Sequence, residues 1–196
     1  MILPENIQEE IDSLDKKYKI LNIYLSGSRS YENNSDDSDY DLILIAEQLG
    51  DARLEFKFFN GTIFIFRKSE FERKLKEHDV SALECFFLPK KFKIREKWKP
   101  ILKINKKLIK EKFGIKANKS YNKAKKWLEH IKNLNELDKN DSTLINKNMY
   151  HALRILLFMC QILNEGKIVD YTEANDIKID VENYEKIFAK LLKNIE

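Results

Sequence analysis

The sequence is poor in residues that cross-link or interrupt a chain: its 196 residues include two cysteines, three prolines and five glycines. Cys85 and Cys160 stand among apolar residues, and neither has a cysteine or histidine at a metal-ligand spacing. Buried thiols are therefore expected, not a disulfide or a zinc site. No apolar run approaches the roughly 18 residues of a membrane span, and the first six residues do not resemble a secretory signal. These absences predict a cytoplasmic protein without membrane contact.

Several catalytic signatures are also absent. The chain has no Gly-x-Ser-x-Gly elbow, no Walker phosphate loop and no HRD segment, which excludes triad hydrolysis and kinase chemistry. With 43% hydrophobic and 35% charged residues, the composition is neither that of a disordered chain nor that of a collagen. The length suits one compact domain with a helical appendage.

Charge is distributed unevenly along the chain. Residues 1–89 carry 11 basic and 18 acidic side chains, whereas residues 90–147 carry 19 and 6, a net charge of +13. Trp98, Tyr121 and Trp127 are interleaved with these basic residues. Such a segment suits a polyanion such as RNA, DNA or a nucleoside triphosphate. The alternative is a solvated lysine face on two helices.

Hydrophobic patterning predicts a small sheet followed by a helical region. β-Branched and aromatic content indicates strands at 19–25 and 39–46, and Asn60-Gly61 is typical of the turn in an antiparallel hairpin. No strand is expected after Pro89. The hairpin strands are predicted at 53–59 and 62–66, and helices at 4–17, 70–77, 80–88, 98–113 (ended by Gly114), 118–137, 144–165 (ended by Gly166) and 180–194.

The stretch with the most chemistry lies between the first two strands. Asp39 and Asp41 open the second strand, and side chains two apart in a strand point to the same face, so the two carboxylates project together. Oxygen ligands of this kind select magnesium or manganese. Gly27 lets backbone approach a triphosphate, while Ser28 donates hydrogen bonds and Arg29 adds positive charge. Together these residues predict a phosphoryl-transfer site.

This pattern resembles the signature of the DNA polymerase β-like nucleotidyltransferase superfamily. The stretch GSRSYENNSDDSDYDL (27–42) is similar to the form found in predicted phage and bacterial nucleotidyltransferases, including an RNA-repair-associated group. The stretches SALECFFLP (81–89), KSYNKAKK (119–126) and YHALRILLFMCQILNEGKIVDYTEAN (150–175) agree in order and spacing. The resemblance spans roughly residues 20–176 and leans toward a phage-encoded form.

The resemblance implies roles for individual residues. Asp39 and Asp41 are expected to be catalytic metal ligands, and Gly27, Ser28 and Arg29 to bind the nucleotide. The family commonly uses a third carboxylate on a neighbouring strand, but the position where it is expected falls near Thr62, which is not acidic. The candidates for that catalytic acid are Glu55, on the partner strand of the hairpin, and Glu84. If neither serves, the protein is a slow enzyme or a non-catalytic relative.

A second group of predicted nucleotide-binding residues lies in the helical region. Lys119, Ser120 and Lys123 are expected to begin a helix, whose N-terminus favours anions. The resemblance raises Lys123 above its basic neighbours, although a solvated surface lysine is the alternative. His151 and Arg154 lie on the same side of a later helix. Arg154 is the better candidate because a buried arginine needs an anionic partner, whereas His151 is also typical of a core edge.

The expected fold is α+β: a small mixed β-sheet nucleotidyltransferase core over residues 1–95, flanked by helices, and a helical bundle over 96–196 that forms the other wall of a cleft. The expected activity is transfer of a nucleoside monophosphate from ATP or another triphosphate to an acceptor hydroxyl, with magnesium or manganese as cofactor and release of pyrophosphate. An RNA acceptor, such as a tRNA, is the first choice because of the basic segment. The alternative is an inactive relative that binds nucleic acid or a protein partner, as an antitoxin does.

Overall fold

The computed structural model of the protein describes residues 3–58, 61–134, 139–178 and 183–193, with backbone alone at 127, 128, 130–134 and 139–146. The fold is α+β, as predicted. The chain forms two compact units, Met1–Lys103 and Ile104–Glu196. That the helical part forms the other wall of a cleft stays a prediction.

The first unit is a five-stranded mixed sheet with three α-helices. The strand order is β3-β4-β2-β1-β5, in which β2 and β4 are parallel and the other neighbours antiparallel. Its elements are α1 (Glu5–Tyr18), β1 (Ile20–Ser26), a 3-10 helix (Gly27–Tyr31), β2 (Tyr40–Ala46), β3 (Arg53–Phe58), β4 (Gly61–Arg67), α2 (Lys68–Lys76), α3 (Val80–Phe87), a 3-10 helix (Lys90–Phe92) and β5 (Lys93–Glu96).

The two faces of the sheet follow from the alternation along β2. Leu42 and Leu44 are fully buried on one face, beside Ile63 and Ile65 of β4. The opposite face begins at Asp41 and continues into apolar positions, where the ring of Phe71 from α2 stacks on Tyr24 with centroids 6.1 Å apart. Asp41 therefore lies near the start of β2, and the buried remainder of that strand anchors it in the core.

The prediction that no strand follows Pro89 is wrong. β5 pairs antiparallel with β1, with Ile23 opposite Arg95. The strand is short and charged, as edge strands often are, so it carries no hydrophobic pattern. Its polar side chains find partners in the fold, since Arg95 donates to Asp15 of α1 at 2.5 Å and Lys93 to Glu96 at 2.8 Å.

The second unit consists of α4 (Lys106–Leu134), α5 (Lys139–Glu165), a 3-10 helix (Glu173–Asp176) and α6 (Tyr184–Lys193). The predicted break at Gly114 is wrong. The predicted helix 98–113 also begins too early, because residues 98–105 are not helical. Phe113 and Ala117 on either side of Gly114 are both fully buried against the bundle. Packing of this continuous stripe exceeds the propensity cost of about 1 kcal/mol for one glycine within a helix.

The end of α5 agrees with the prediction, because Gly166 follows it with φ of +72°. Some predicted features lie outside the described residues: Asn60 of the hairpin turn, residues 135–137 of the helix 118–137, and residues 180–182 and 194 of the helix 180–194. Gly61 is the first residue of β4. Among the helices in the described ranges, none combines the length and the apolar character needed to cross a bilayer.

A buried glutamine fastens the segment after α5 onto that helix. The Gln161 amide nitrogen donates to the Asp170 carbonyl at 2.9 Å and to the Glu173 carboxylate at 2.6 Å. Its oxygen accepts from the backbone N–H groups of Val169 at 2.7 Å and Asp170 at 2.9 Å. One side chain thus satisfies four polar groups in the segment that follows α5.

We expect Gln161→Leu to lower the free energy of unfolding by about 2 kcal/mol, because it leaves these polar groups without their partner. Urea denaturation followed by circular dichroism measures the change. The matched control is Gln8→Leu, which removes one exposed hydrogen bond to Asp12 and should cost less than about 0.5 kcal/mol. Equal stability of the two variants would contradict the structural role of Gln161.

Candidate active site

The two halves of the sequence motif meet at the end of β1. Ser26 is the ladder partner of Asp41, which brings Gly27 beside the Asp41 carboxylate. Gly27 has φ of +69°, and a Cβ at this position would lie 2.7 Å from Asp41 Oδ2. Glycine is favoured here by its backbone conformation, and a side chain at this position would also require the Asp41 carboxylate to shift. The ten residues between the two halves, 29–38, consist of the end of the 3-10 helix and a loop.

The two aspartates are held differently. Asp41 is half-buried and lies within β2, whereas Asp39 is exposed and lies one residue before the strand. Magnesium is commonly held in proteins by one or two carboxylates, with phosphate oxygens of the substrate and water as its other ligands. Two carboxylates make up a ligand set of this kind, and the binding of a magnesium or manganese ion by Asp39 and Asp41 stays a prediction.

The third carboxylate is missing from the position next to the pair. In the parallel ladder between β2 and β4, the direct neighbour of Asp41 is Thr62. Neighbouring residues in a ladder point to the same face. Among the described residues, no group of three or more histidine, cysteine, aspartate or glutamate side chains is placed to hold a metal ion. The β4 position beside Asp41 therefore carries no carboxylate.

The structure does not bring Glu55 to the pair. Glu55 of β3 pairs with Phe64 of β4, and Phe64 pairs with Ile43 of β2. Glu55 therefore points to the same face as Asp41, but it lies two strands away and level with a residue two positions further along β2. Strand and residue spacings put the two Cα atoms roughly 12 Å apart. The Glu55 carboxylate is exposed and accepts from Arg53 at 2.8 Å. β3 is the edge strand, which places Glu55 beyond the neighbour of Asp41.

Glu84 is engaged elsewhere. The Tyr31 hydroxyl donates to Glu84 Oε2 at 3.3 Å, and this links α3 to the 3-10 helix that begins at Gly27. Tyr31 is itself buried. The geometry thus gives Glu84 a role in holding the turn that carries Gly27 and Ser28.

Arg29 contacts the loop that leads into β2. Its Nε and Nη2 both donate to the carbonyl of Ser38, at 3.1 and 2.5 Å, and Nη2 reaches the carbonyl of Asp36 at 3.3 Å. The guanidinium carbon lies 3.8 Å from the centroid of the Tyr40 ring. Sequence reasoning assigned Arg29 to the nucleotide and missed these contacts, which no spacing rule indicates. A contact of Arg29 with nucleotide stays a prediction.

The prediction that a helix begins at Lys119 is wrong. Lys119, Ser120 and Lys123 lie in the middle of α4, so no helix N-terminus contributes positive potential there. Ser120 is buried on the same stripe as Ala117 and Ala124, facing the packed side of the helix. Lys119 and Lys123 are exposed.

Cations of α4 and α5 gather around His151. Burial lowers the pKa of His151 to about 4, and the charges of Lys116, Arg154, Lys123 and Lys147 act in the same direction. Two predicted nucleotide-binding residues, Lys123 and Arg154, thus belong to one cationic cluster, and His151 is neutral at pH 7 within it. Arg154 is buried and donates to Asn175 Oδ1 at 3.3 Å. Lys116 and Lys147 were not singled out by sequence reasoning.

A lysine stripe runs along the exposed side of α4. It consists of Lys116, Lys119, Lys123 and Lys126, which fall within an arc of about 80° over about 15 Å of the helix. All four are exposed, and none forms an ion pair with a described residue. A cavity of about 640 Å³ is lined by residues of this side of α4, namely Ile115, Asn118, Lys119, Asn122, Lys123 and Lys126.

Two of the aromatic residues in the basic segment pack within the protein. The Trp98 ring meets Phe71 edge to face at 6.3 Å. The Tyr121 ring stacks on Tyr184 at 5.3 Å and on Phe188 at 4.3 Å. The Trp127 side chain lies outside the described part of the chain. The packing of these two rings therefore gives no support to a role for them in stacking on the bases of a nucleic acid, and binding of a polyanion by the basic segment stays a prediction.

No protein-family profile matches the chain, and no curated protein sequence does either. Among solved structures, the chain is similar to a nucleotidyltransferase-like protein from Exiguobacterium sibiricum 255-15. The identity is 14%, the match covers 96% of this chain and 70% of that chain, and the TM-score is 0.33.

We expect Thr62→Asp to tighten Mn²⁺ binding by about tenfold, because a third carboxylate is added beside Asp41. Titration of the metal-free protein, with free Mn²⁺ followed by electron paramagnetic resonance, measures the affinity. Thr62→Asn, of the same size without the charge, is the control and should bind as wild type does. If the two variants bind Mn²⁺ equally, the ion does not bind beside Asp41.

Proposed function

We propose that the protein is a metal-dependent nucleotidyltransferase that moves a nucleoside monophosphate from ATP or another triphosphate to a hydroxyl of an RNA acceptor. The observation that carries the proposal is the close approach of the Asp41 carboxylate to Gly27, on the side where any other residue would carry its Cβ. It unites a turn suited to phosphate with a carboxylate pair suited to magnesium.

The reaction follows from these roles. The acceptor oxygen forms a bond to the α-phosphorus, the bond from that phosphorus to the bridging oxygen breaks, and pyrophosphate leaves. Magnesium or manganese, when bound, neutralises charge on the triphosphate. Asp39 and Asp41 hold the ion, while Gly27 and Ser28 receive the phosphates. With Thr62 in place of an acid, the hydroxyl proton passes to water, which predicts slow turnover.

The cationic cluster of the helical unit supports binding of a second set of phosphate groups. Lys123 and Arg154 are proposed to bind phosphate groups of a nucleotide, since both carry positive charge that acts on His151. Support for Ser120 is weaker because its side chain is buried in the bundle. The lysine stripe supports the RNA acceptor, because four exposed cations in a row release counterions when a phosphate backbone binds.

A second candidate function is a non-catalytic protein that binds nucleic acid or a protein partner. Thr62 beside Asp41 favours it, since the neighbouring position carries no acid. An antitoxin-like form of this candidate implies a stable complex with another protein on co-purification. Metal-independent RNA binding without triphosphate turnover distinguishes this candidate from the enzyme.

We expect the purified protein to transfer label from one α-labelled nucleoside triphosphate to tRNA or short RNA in the presence of Mg²⁺ or Mn²⁺. The double variant Asp39→Asn with Asp41→Asn should reduce the rate at least about a hundredfold, because the charges that hold the ion are gone. Label on RNA, separated by gel electrophoresis, measures transfer and identifies the nucleotide.

The matched control is Asp36→Asn with Asp37→Asn, which removes two charges from the same loop but leaves the pair intact. Both control side chains are exposed. Retention of transfer in the control and loss in the test variant supports the proposal. Absence of label on RNA or on protein with every triphosphate, while RNA binding persists, would favour the non-catalytic candidate.

We expect RNA binding to weaken steeply as salt rises, and to weaken further when the lysine stripe is reversed. In Lys119→Glu with Lys126→Glu, the slope of log affinity against log salt should fall by about 1.4, or about 0.7 for each phosphate of a single strand that a lysine no longer neutralises. Fluorescence anisotropy of labelled RNA over a series of salt concentrations measures this slope.

The control reverses two exposed lysines on α6, Lys186→Glu with Lys190→Glu. It makes the same change in net charge at another surface, so a uniform effect of net charge would appear in both variants. Equal slopes for the two variants would place RNA elsewhere. Binding that is insensitive to salt would instead favour a protein or small-molecule acceptor.

A further inference from the structure

The loop between the two halves of the motif is fastened by the Arg29 side chain. Arg29 donates twice to the carbonyl of Ser38 and once to that of Asp36, and its guanidinium lies over the Tyr40 ring. Ser38 precedes Asp39 in the chain and Tyr40 follows it. Arg29 therefore contacts the residues on both sides of Asp39.

The two carboxylates differ in what supports them. Asp41 is held by ladder partners on both sides, Ser26 in β1 and Thr62 in β4. Asp39 lies before the first residue of β2, and no residue in the described part of the neighbouring strands is its ladder partner. The turn ahead of it is closed by the bond from the Ser38 N–H to the Ser35 carbonyl at 3.1 Å. The Arg29 guanidinium ties that turn back to the start of the motif.

We propose that Arg29 is a positioning residue for Asp39: it orders the turn at 35–38 and so sets the distance between the two metal-binding carboxylates. This inference rests on the proposed function, because it assigns the loop a purpose at the same site. It departs from the expectation that Arg29 binds the triphosphate directly.

The chemistry of the contacts favours positioning over phosphate binding. A guanidinium presents a planar fork of donors and stacks on aromatic rings, and Arg29 uses both properties on its own loop. Nε and Nη2 point to backbone carbonyls, so the edge best suited to a bidentate phosphate contact is already engaged. A lysine carries the same charge but has neither the fork nor the plane.

The test is therefore Arg29→Lys, with two readouts. We expect Mn²⁺ alone to bind about tenfold more weakly than to wild type, since loss of a group that orients a metal ligand typically costs this much. We also expect faster amide hydrogen exchange in a peptide covering residues 33–40. At saturating Mn²⁺, KM for the triphosphate should stay close to that of wild type.

Two controls separate positioning from general effects. Arg73→Lys changes an exposed arginine of α2 that is paired with Glu70 and with Glu77, the residue that follows the helix, and should alter neither readout. Tyr40→Phe keeps the ring under the guanidinium and should behave as wild type, whereas Tyr40→Leu removes the ring and should shift both readouts in the direction of Arg29→Lys. Circular dichroism of each variant checks that the fold is retained.

The outcomes are distinct. Wild-type Mn²⁺ affinity in Arg29→Lys overturns the positioning role, and a raised KM with that affinity would mean direct contact with the triphosphate. Faster exchange without weaker Mn²⁺ binding also overturns it, because the loop is then held for another purpose. If wild type binds no Mn²⁺, the proposed function fails and this role fails with it. If Asp39→Asn weakens Mn²⁺ binding but Arg29→Lys does not, the positioning role of Arg29 is wrong and the proposed function stands.

Discussion

The register between β1 and β2 is the constraint on which the candidate site depends. Ser26 opposite Asp41 places Gly27 against a carboxylate, and the same register sets Tyr24 opposite Ile43 in the core. Side chains alternate along a strand, so a slip by one residue would turn Asp41 to the other face and move each buried side chain of β2 out of the site that it fills. The complete burial of Leu42 and Leu44 forbids that slip. The hydrophobic core thus fixes the position of a polar site at its edge.

The acidic residues of the candidate site lie on the sheet or next to it, whereas the basic residues lie on helices. The carboxylates stand at the end of a sheet, where backbone hydrogen bonds hold Asp41 to a definite place. The cations stand on long helices, where lysines three and four residues apart form a row with freedom in each side chain. A compact metal ion needs the first arrangement, because its ligands must converge. An extended polyanion needs the second, since its charge is spread along a chain.

Much of the sheet was predictable from the sequence, because its strands have strong local patterns. β2 alternates at its start and becomes continuously apolar, and α5 ends at a glycine. The errors occur where tertiary contacts replace local pattern. β5 has one apolar residue and is held by pairing with β1, while α4 runs through Gly114 because the buried stripe continues past it. The predicted break at Gly114 also led to the wrong prediction that a new helix begins near Lys119. Glu55 shares the correct face, but its distance from Asp41 depends on the strand order.

By itself, the sequence determined which residue types are available for chemistry: a Gly-Ser turn, two acids two apart, and a basic segment of net +13. These follow from local rules of strand alternation and charge, which act over a few residues. The tertiary structure decided that Gly27 meets Asp41, that Thr62 occupies the neighbouring position, and that Arg29 holds the loop around Asp39. Those contacts depend on strand order, register and loop closure, which are set by burial of the core as a whole.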